Sequence, residues 1–264
     1  MSGVIADPEV IREHRLATIT PQDRRAFLVE AFNRILISRI QIRAGDGKSA
    51  FRRGIEVFEE KENLLPFEEA KLYGHNATHA LAAYVGAMAG ARRITDLATV
   101  PGLLPFLRAA FIHESGAALV RKHAGVDPLF TPQGYARYAG DLLARMANPY
   151  LLDTVERVGR DPARKLGWND RLVGTMRLAL GQGIEPQRYA FGAAAALALL
   201  DRSILEPSHP AHDLLDTLWV AESPPRAERE AVLDRVEEAL QRVRAWHEAG
   251  FGDLGRIFGD ELDD

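Results

Sequence analysis

The chain has 264 residues, of which 47% are hydrophobic and 27% are charged, with no cysteine and a formal net charge of -4. This composition excludes a disordered chain, a disulfide or thiolate-zinc protein, and a strongly basic surface for nucleic acid. The longest apolar run, residues 191–200, is about half of a membrane span, and the N-terminus is unlike a signal peptide. We therefore expect a cytoplasmic protein with neither a nucleic-acid nor a membrane partner.

Residues 1–65 differ in pattern from the rest of the chain. The segment 25–42 is rich in β-branched and apolar residues, which fits a strand, a helix or both. A turn-rich stretch follows, and GIEVFEEKEN at 54–63 alternates apolar and charged residues as an edge strand does. The sequence predicts a short α/β segment over residues 1–65.

From residue 66 the chain has the pattern of helices with short connectors. Proline, Asx and threonine residues stand where helices begin, and glycines stand where they end. The predicted helices cover 66–90, 103–122, 131–146, a short one from Asn148-Pro149, one after the Asn169-Asp170 cap, one from Pro186, and 227–249. We expect a frayed acidic tail at 259–264. The fold class is therefore mainly α, with a multi-helical domain over residues 66–264.

The segment KLYGHNATH at 71–79 carries the most informative polar residues. With about 100° per residue in a helix, its polar side chains share little more than a third of the circumference: Lys71, His75, Asn76 and His79. Burial lowers the pKa of a lysine, which could then take a proton from an alcohol. An asparagine amide and a histidine can hold the reacting oxygen. The residues alone leave two interpretations open, alcohol oxidation or a solvated helix face.

A metal site is a third interpretation of the same segment. His75 and His79 are four residues apart, which suits a shared metal ion. No acidic residue lies between them, so the metalloprotease motif is missing. A metal would need further ligands from His113, Glu114 or His123.

Three segments, in the same order, resemble the long-chain mannitol dehydrogenase family. KLYGHNATHALAAYVG at 71–86 resembles the family's Lys-x4-Asn-x2-His signature, and FIHESGAALVRKHAG at 111–125 resembles its next helix. NPYLLDTVERVGRDPARKLGWNDRLVG at 148–174 is most similar to the mannitol-1-phosphate 5-dehydrogenases of that family. The resemblance covers about residues 66–200, with a looser match beyond and part of 25–65 as a link.

The resemblance implies a role for each residue of the signature. Lys71 would be the general base in alcohol oxidation and the acid in ketose reduction. Asn76 would help to hold the reacting oxygen, and His79 would donate or accept a hydrogen bond beside it. The family's chemistry uses NAD and no metal, so His75 would be a neighbouring or packing residue. The substrate would be a sugar alcohol or a sugar phosphate.

Five basic residues lie within one fifteen-residue stretch of the third segment, and this cluster predicts an anion site. It contains Arg157, Arg160, Arg164, Lys165 and Arg171. A guanidinium fork with a lysine charge suits phosphate, and we expect Arg164 and Lys165 to face the substrate, with Arg160 as a third contact. The alternative is a solvated basic patch whose members pair with nearby acids: Asp153, Glu156, Asp161 and Asp170.

The chain has no G-x-G-x-x-G placed between a predicted strand and a predicted helix, although the family's enzymes bind NAD in an N-terminal Rossmann-like domain. The dinucleotide fingerprint needs G-x-G-x-x-G between a strand and a helix. Residues 1–65 are therefore interpreted as a remnant of the NAD domain and linker, and residues 66–264 as the substrate-binding catalytic domain.

Three hypotheses follow from this missing fingerprint: a split enzyme with a separate Rossmann-domain chain, a truncated product of a larger gene, or a non-catalytic helical binding or assembly module. The chain alone is expected to be inactive. The face that a nucleotide domain would cover could also drive formation of a homo-oligomer.

Overall fold

The computed structural model describes residues 3–28, 35–40, 54–148, 150 and 152–259. The chain divides into two compact units, Met1–Leu65 and Pro66–Asp264. The second unit is helical throughout its described regular elements, and the first contains short strands and one short helix. The mainly α class predicted from the sequence is confirmed.

The first unit contains two two-stranded sheets. Strand β1 (Gly3–Ile5) pairs antiparallel with β2 (Ala26–Leu28), and β3 (Ile35–Ser38) pairs parallel with β4 (Phe58–Lys61). Helix α1 (Pro8–Glu13) lies between β1 and β2 in the chain, and the Asp7 carboxylate caps its N-terminus. The strand predicted within 54–63 is therefore confirmed, and the ambiguous segment 25–42 contributes β2 and β3. Most of the predicted turn-rich stretch, which lies between β3 and β4, falls outside the described residues.

The second unit begins with two long helices, each of which contains a π-helical segment. The first run is α2 (Leu65–Glu69), π1 (Ala70–Asn76) and α3 (Ala77–Met88). The second run is α4 (Leu103–Ala109), π2 (Ala110–Gly116) and α5 (Ala117–Lys122). The predicted extents of the helices at 66–90 and 103–122 are confirmed. Gly90 ends the first helix with a left-handed φ of 83°.

The remaining helices follow in chain order. They are α6 (Pro132–Met146), α7 (Val155–Gly159), α8 (Pro162–Lys165), α9 (Arg171–Gly181), α10 (Gln187–Leu200), α11 (Ala211–Trp219), α12 (Arg226–Glu248) and α13 (Leu254–Phe258). Among the described residues, 3₁₀ turns lie between α3 and α4 (Ile94–Thr99), between α5 and α6 (Pro128–Phe130) and between α10 and α11 (Arg202–Leu205). Helix α6 begins at the predicted cap, because the Thr131 hydroxyl accepts the Gly134 N–H at 3.0 Å.

The predicted helix start at Asn148-Pro149 is wrong. Helix α7 begins at Val155, where the Thr154 hydroxyl accepts the Arg157 N–H at 3.1 Å. The residues just before it are extended because they pair with another segment: the Ile94 N–H donates to the Asp153 carbonyl at 3.0 Å. A tertiary β-bridge therefore overrides the local signal, and Pro149 itself lies outside the described residues.

Helix α10 is the centre of the core. Every residue from 189 to 198 is buried, and the helix packs against α3, α9 and α12. The approach to α3 is close, since a Cβ on Gly192 would lie 2.3 Å from Leu81 Cδ1. Phe191 supplies the bulk, with its ring 5.7 Å from Phe106 and 5.6 Å from Trp246. Small residues on one face thus allow helices to pack tightly while one aromatic ring fills the remaining space.

The run Leu103–Lys122 has the length and apolar composition of a membrane span. In the fold, 56% of the residues that give it this property are buried inside the protein. Phe106, Leu107 and Phe111 are among its fully buried side chains. The run therefore packs as a core helix of the second unit.

Candidate functional site

The segment that carries the signature residues is a π-helix where the sequence predicted an α-helix. In π1, hydrogen bonds join residues five apart. On an α-helix Asn76 would lie about 140° around the axis from Lys71. The π pattern brings residues five apart close together on one face, so it aligns these two side chains. Such segments are frequent at functional sites.

Helix α9 supports one side of π1. The Thr175 hydroxyl lies 3.2 Å from the Tyr73 carbonyl oxygen and also contacts the Arg171 carbonyl. The Tyr73 ring lies against Gly174, where a Cβ would come within 2.7 Å of it. The Tyr73 hydroxyl reaches the Asn169 carbonyl at 3.4 Å. A backbone carbonyl of the irregular helix thus shares the single hydroxyl proton of Thr175 with the Arg171 carbonyl of α9.

Helix π2 and α6 support the other side. A Cβ on Gly74 would lie 2.2 Å from the Tyr135 hydroxyl oxygen and 2.9 Å from the Phe111 ring. The same Tyr135 ring would meet a Cβ on Gly116 of π2 at 2.7 Å. The Phe111 and Tyr135 rings are perpendicular, with centroids 5.5 Å apart. The two π-helices therefore meet across one buried tyrosine.

The junction between α2 and π1 is tied to the end of α5. Glu69 accepts from Lys122 Nζ at 2.8 Å and contacts His123 Nε2 at 2.7 Å. Burial opposes ionisation of this carboxyl, but the Lys122 and His123 contacts outweigh it and hold the pKa of Glu69 below its ordinary value. The His123 ring lies on Phe130, with centroids 5.1 Å apart. These contacts fix the helix two residues before Lys71.

Lys71 is exposed, and Asn76 and His75 are partly buried. The structure thus does not place Lys71 in the desolvated pocket that the sequence analysis expected, because no described element covers this face of π1. His79, one turn further into α3, is mostly buried. Burial, followed by the positive charges of His75, Arg157 and Arg171, lowers the pKa of His79 to about 4. His79 is therefore neutral at pH 7, and its buried Nε2 has no hydrogen-bond partner among the described residues.

The proposed metal ligands point to different partners. The His75 and His79 rings are 6.3 Å apart, edge to face. Glu114 accepts the backbone N–H groups of Arg188 and Tyr189, and His123 contacts Glu69. Within the described ranges, no cluster of three His, Asp or Glu side chains is arranged to hold a metal. The metal interpretation therefore has no third ligand in this part of the chain.

Glu114 has a role that the sequence analysis missed. It is 3% exposed and lies in π2, and its carboxylate receives the Arg188 N–H at 2.9 Å and the Tyr189 N–H at 3.2 Å at the start of α10. Burial raises the pKa of Glu114 to about 7, although these N–H groups favour the charged form. The signal in the sequence was an acidic residue within an apolar run, which indicates a buried carboxylate that caps another helix.

The structure separates Arg164 from Lys165, which the sequence analysis expected to face one ligand together. Arg164 is 58% exposed, with its Nε 3.2 Å from the Asp161 carboxylate. Lys165 is 4% exposed, and its Nζ donates to the Arg160 carbonyl. The prediction that Arg164 and Lys165 face the substrate together is thus corrected. Helix α8 is only four residues long, and its last side chain, that of Lys165, is buried in the interior.

Three arginines of the basic cluster have acidic partners, as the solvated-patch alternative predicts. Arg157 pairs with Asp153, Arg164 with Asp161, and Arg171 lies 3.9 Å from Asp170. Two of them, Arg157 and Arg171, also act on His79. The positive charges of the cluster therefore act on the face that carries the signature residues. Arg160 and Arg164 lie on the exposed turn.

Comparison with known proteins defines the class of this helical domain. Residues 63–249 match the model of the mannitol dehydrogenase C-terminal domain. The fold is similar to that of Pseudomonas fluorescens mannitol 2-dehydrogenase, solved as a ternary complex with NAD and D-mannitol, with a TM-score of 0.53 and 18% identity over 77% of this chain and 43% of that chain. It is also similar to a D-sorbitol dehydrogenase in substrate-free form, with a TM-score of 0.64 and 15% identity over 96% of this chain and 53% of that one.

The chain belongs to the mannitol dehydrogenase family and contains its C-terminal domain. It spans about half the length of the two solved dehydrogenases. The family resemblance seen in the sequence is thus confirmed.

Proposed function

We propose that this chain is the substrate-binding half of an NAD-dependent polyol dehydrogenase of the mannitol-1-phosphate type, in which Lys71 moves the proton of the reacting hydroxyl. The observation that carries the proposal is π1, which aligns Lys71 with Asn76 and precedes His79 by three residues. The sugar alcohol lies against this face, with the hydroxyl to be oxidised at the Lys71 amine.

Each side chain of the face has a distinct task in this proposal. The neutral form of Lys71 accepts the hydroxyl proton at Nζ during oxidation, and the ammonium returns it during reduction. The Asn76 amide donates to the same oxygen as negative charge develops. Neutral His79 offers a buried ring nitrogen without a protein partner, which suits a hydrogen bond to substrate. None of these steps requires a metal.

NAD does not fit the described residues of this chain. They contain two separate two-stranded sheets and no parallel sheet with a crossover helix and a glycine-rich turn. In the proposed enzyme a nucleotide-binding domain outside the described residues would hold the cofactor, which would supply the hydride acceptor. That domain would also cover Lys71 and exclude water from it.

The basic turn after α7 supports a phosphorylated substrate. Arg160 and Arg164 are exposed there, and the charges of Arg157 and Arg171 reach His79. A guanidinium fork suits a phosphate group. We assign Arg160 and Arg164 to the phosphate.

A non-catalytic binding module is the second candidate function, and the exposure of Lys71 favours it. A module of this kind would use the uncovered face to bind a partner or a second copy. Measuring the mass of the purified chain in solution distinguishes a monomer from a homo-oligomer that covers this face.

The activity test combines the chain with a nucleotide-binding domain of the same family and follows NADH formation with polyols and their phosphates. Lys71→Ala should lower kcat by at least about a hundredfold, since a positioned acid–base group contributes that much. Arg226→Ala removes a positive charge that is 89% exposed on α12, so it is the control and should leave kcat unchanged. Equal rates for wild type and Lys71→Ala, or no turnover with any substrate, would favour the binding module.

A further inference from the structure

Lys165 is the most buried lysine in the part of the chain that the structure describes. It is 4% exposed, whereas Lys71 and Lys122 are exposed. Burying an ammonium is costly unless it has hydrogen-bond partners. In a chain with only five lysines among 33 basic residues, a buried one therefore requires a specific explanation.

The Lys165 side chain is directed back beneath its own turn. Its Nζ donates to the Arg160 carbonyl and lies 5.8 Å from the centroid of the Tyr84 ring on α3. The residue after Arg160 is Asp161, whose left-handed φ of 61° is unfavourable for a residue with a Cβ. The carbonyl that Lys165 holds is therefore the one directly before the strained residue.

The strained residue in turn organises the outer side of the turn. The Asp161 carboxylate accepts the Arg164 N–H at 3.3 Å and lies 3.2 Å from Arg164 Nε. The conformation of Asp161 thus sets the direction of Arg164, and exposed Arg160 is the residue on the other side of the same peptide bond. An interior contact at one carbonyl can therefore fix two exposed guanidinium groups.

We infer that Lys165 is a positioning residue, which holds the turn at 160–161 from the inside so that Arg160 and Arg164 present a site for the phosphate of the substrate. The inference rests on the proposed function for its ligand. It changes the role expected for Lys165, since the ammonium contacts protein and the two arginines contact the anion.

Titration of Lys165 allows its charge to be separated from its hydrogen bond. Burial, followed by the charges of Arg171 and Arg164, lowers the pKa of Lys165 to about 8, against the opposing effect of Asp161 and Asp170. Burial raises the pKa of Tyr84, so that this phenol stays neutral. At about pH 9.5 the amine is therefore largely uncharged, yet it still has N–H groups to donate to the Arg160 carbonyl.

The experiment measures binding of inorganic phosphate to the whole chain at pH 7 and at about pH 9.5. Lys165→Met removes both the charge and the donor and should raise the phosphate Kd about fivefold at both pH values. Lys165→Arg keeps a donor and should stay within about twofold of wild type. Lys122→Met, the same chemical change outside the cluster, should leave the Kd unchanged. Thermal melting of each variant confirms that it is folded.

Convergence of Lys165→Met with wild type at about pH 9.5 would overturn the inference, because it would mean that only the charge matters. Isotope-labelled lysine provides a second readout, since the chain has only five labelled side chains. The Lys165 side-chain signals should not change as phosphate saturates the site. If these signals shifted in step with phosphate binding, Lys165 would be a direct ligand, which would contradict the positioning role.

Failure of the proposed function has a different signature. If wild type does not bind phosphate, the assignment of Arg160 and Arg164 to an anion fails. The turn itself is then tested by amide hydrogen exchange at residues 160–164. Faster exchange in Lys165→Met than in Lys122→Met supports the interior contact, and equal exchange contradicts it.

Discussion

The two π-helices have the same length and stand at similar places in two long helices, but they serve different purposes. Helix π1 presents Lys71 and Asn76 on an uncovered face. Helix π2 turns Glu114 and Ser115 into the core, where Glu114 caps α10 and Ser115 accepts from the Tyr189 hydroxyl at 3.0 Å. The comparison shows that the same backbone irregularity can align exposed chemistry or satisfy buried polar groups, depending on which side faces the core.

Tyr135 connects the two π-helices, so substitutions beside it should have the largest effect on stability. Gly116→Ala would place a Cβ 2.5 Å from the Phe111 carbonyl oxygen, and Gly74→Ala would place one 2.2 Å from the Tyr135 hydroxyl oxygen. Since overpacking a core costs about 1–3 kcal/mol, both variants should lower the free energy of unfolding, with Gly116→Ala the more severe because backbone cannot move aside. Urea denaturation measures both.

A second substitution separates the two contacts. Tyr135→Phe removes the hydroxyl oxygen that a Cβ on Gly74 would meet at 2.2 Å, so it should restore Gly74→Ala but not Gly116→Ala. Gly140→Ala on α6 is the control, since no atom lies within 4 Å of its Cβ position, and it should stabilise the protein by about 0.5–1 kcal/mol. Equal rescue of both variants by Tyr135→Phe would contradict this packing.

The pH dependence of stability should differ in sign between Glu114 of π2 and His79 beyond π1. The pKa of Glu114 is raised from 4.5 to about 7, so its contribution is complete below pH 4.5 and is lost as the pH rises through 7. The pKa of His79 is lowered from 6.5 to about 4, so its contribution is complete above pH 6.5 and is lost as the pH falls towards 4. Wild type therefore combines two opposing effects of about 3 kcal/mol each.

Single variants should reveal each effect in turn. Relative to wild type, Glu114→Gln should gain stability as the pH rises from 4.5 to 8, and His79→Gln should gain it as the pH falls from 6.5 to 4. Chemical denaturation across this range gives the two differences, with His212→Gln as an exposed histidine control. Parallel curves for Glu114→Gln and wild type would show that the buried carboxyl does not titrate as proposed.

The smallest expected effect concerns the hydrogen bond that α9 donates to π1. Thr175→Val keeps the shape of the side chain but removes its hydroxyl, leaving the Tyr73 carbonyl without this donor. The cost should be about 1 kcal/mol, with faster amide exchange at residues 70–76. Thr217→Val is the control, because among the described residues the Thr217 hydroxyl bonds to a carbonyl of its own helix, that of Asp213. Similar exchange at 70–76 in both variants would rule out support of π1 by α9.

Much of the helical framework could be predicted from local signals. Thr131 and Asp170 cap α6 and α9 as expected, and Gly90 ends α3, because these residues act on backbone groups within one turn. The start of α7 could not be predicted, since it depends on a bridge between Arg93 and Thr154, which are far apart in sequence. The burial of Lys165 depends in the same way on Tyr84 of another helix.

The family and the mainly α class could be recognised from the sequence alone, which also predicts Lys71, Asn76 and His79 as the signature residues, because motif spacing and helical periodicity are local properties of the chain. Only the tertiary structure decided that Lys71 and Asn76 share a π-helix. The wider turn is held by contacts from α9, π2 and α6, whose contacting residues lie 37 to 102 positions away along the chain. The same is true of Glu114 and Lys165, whose charges are set by the atoms that surround them in the fold.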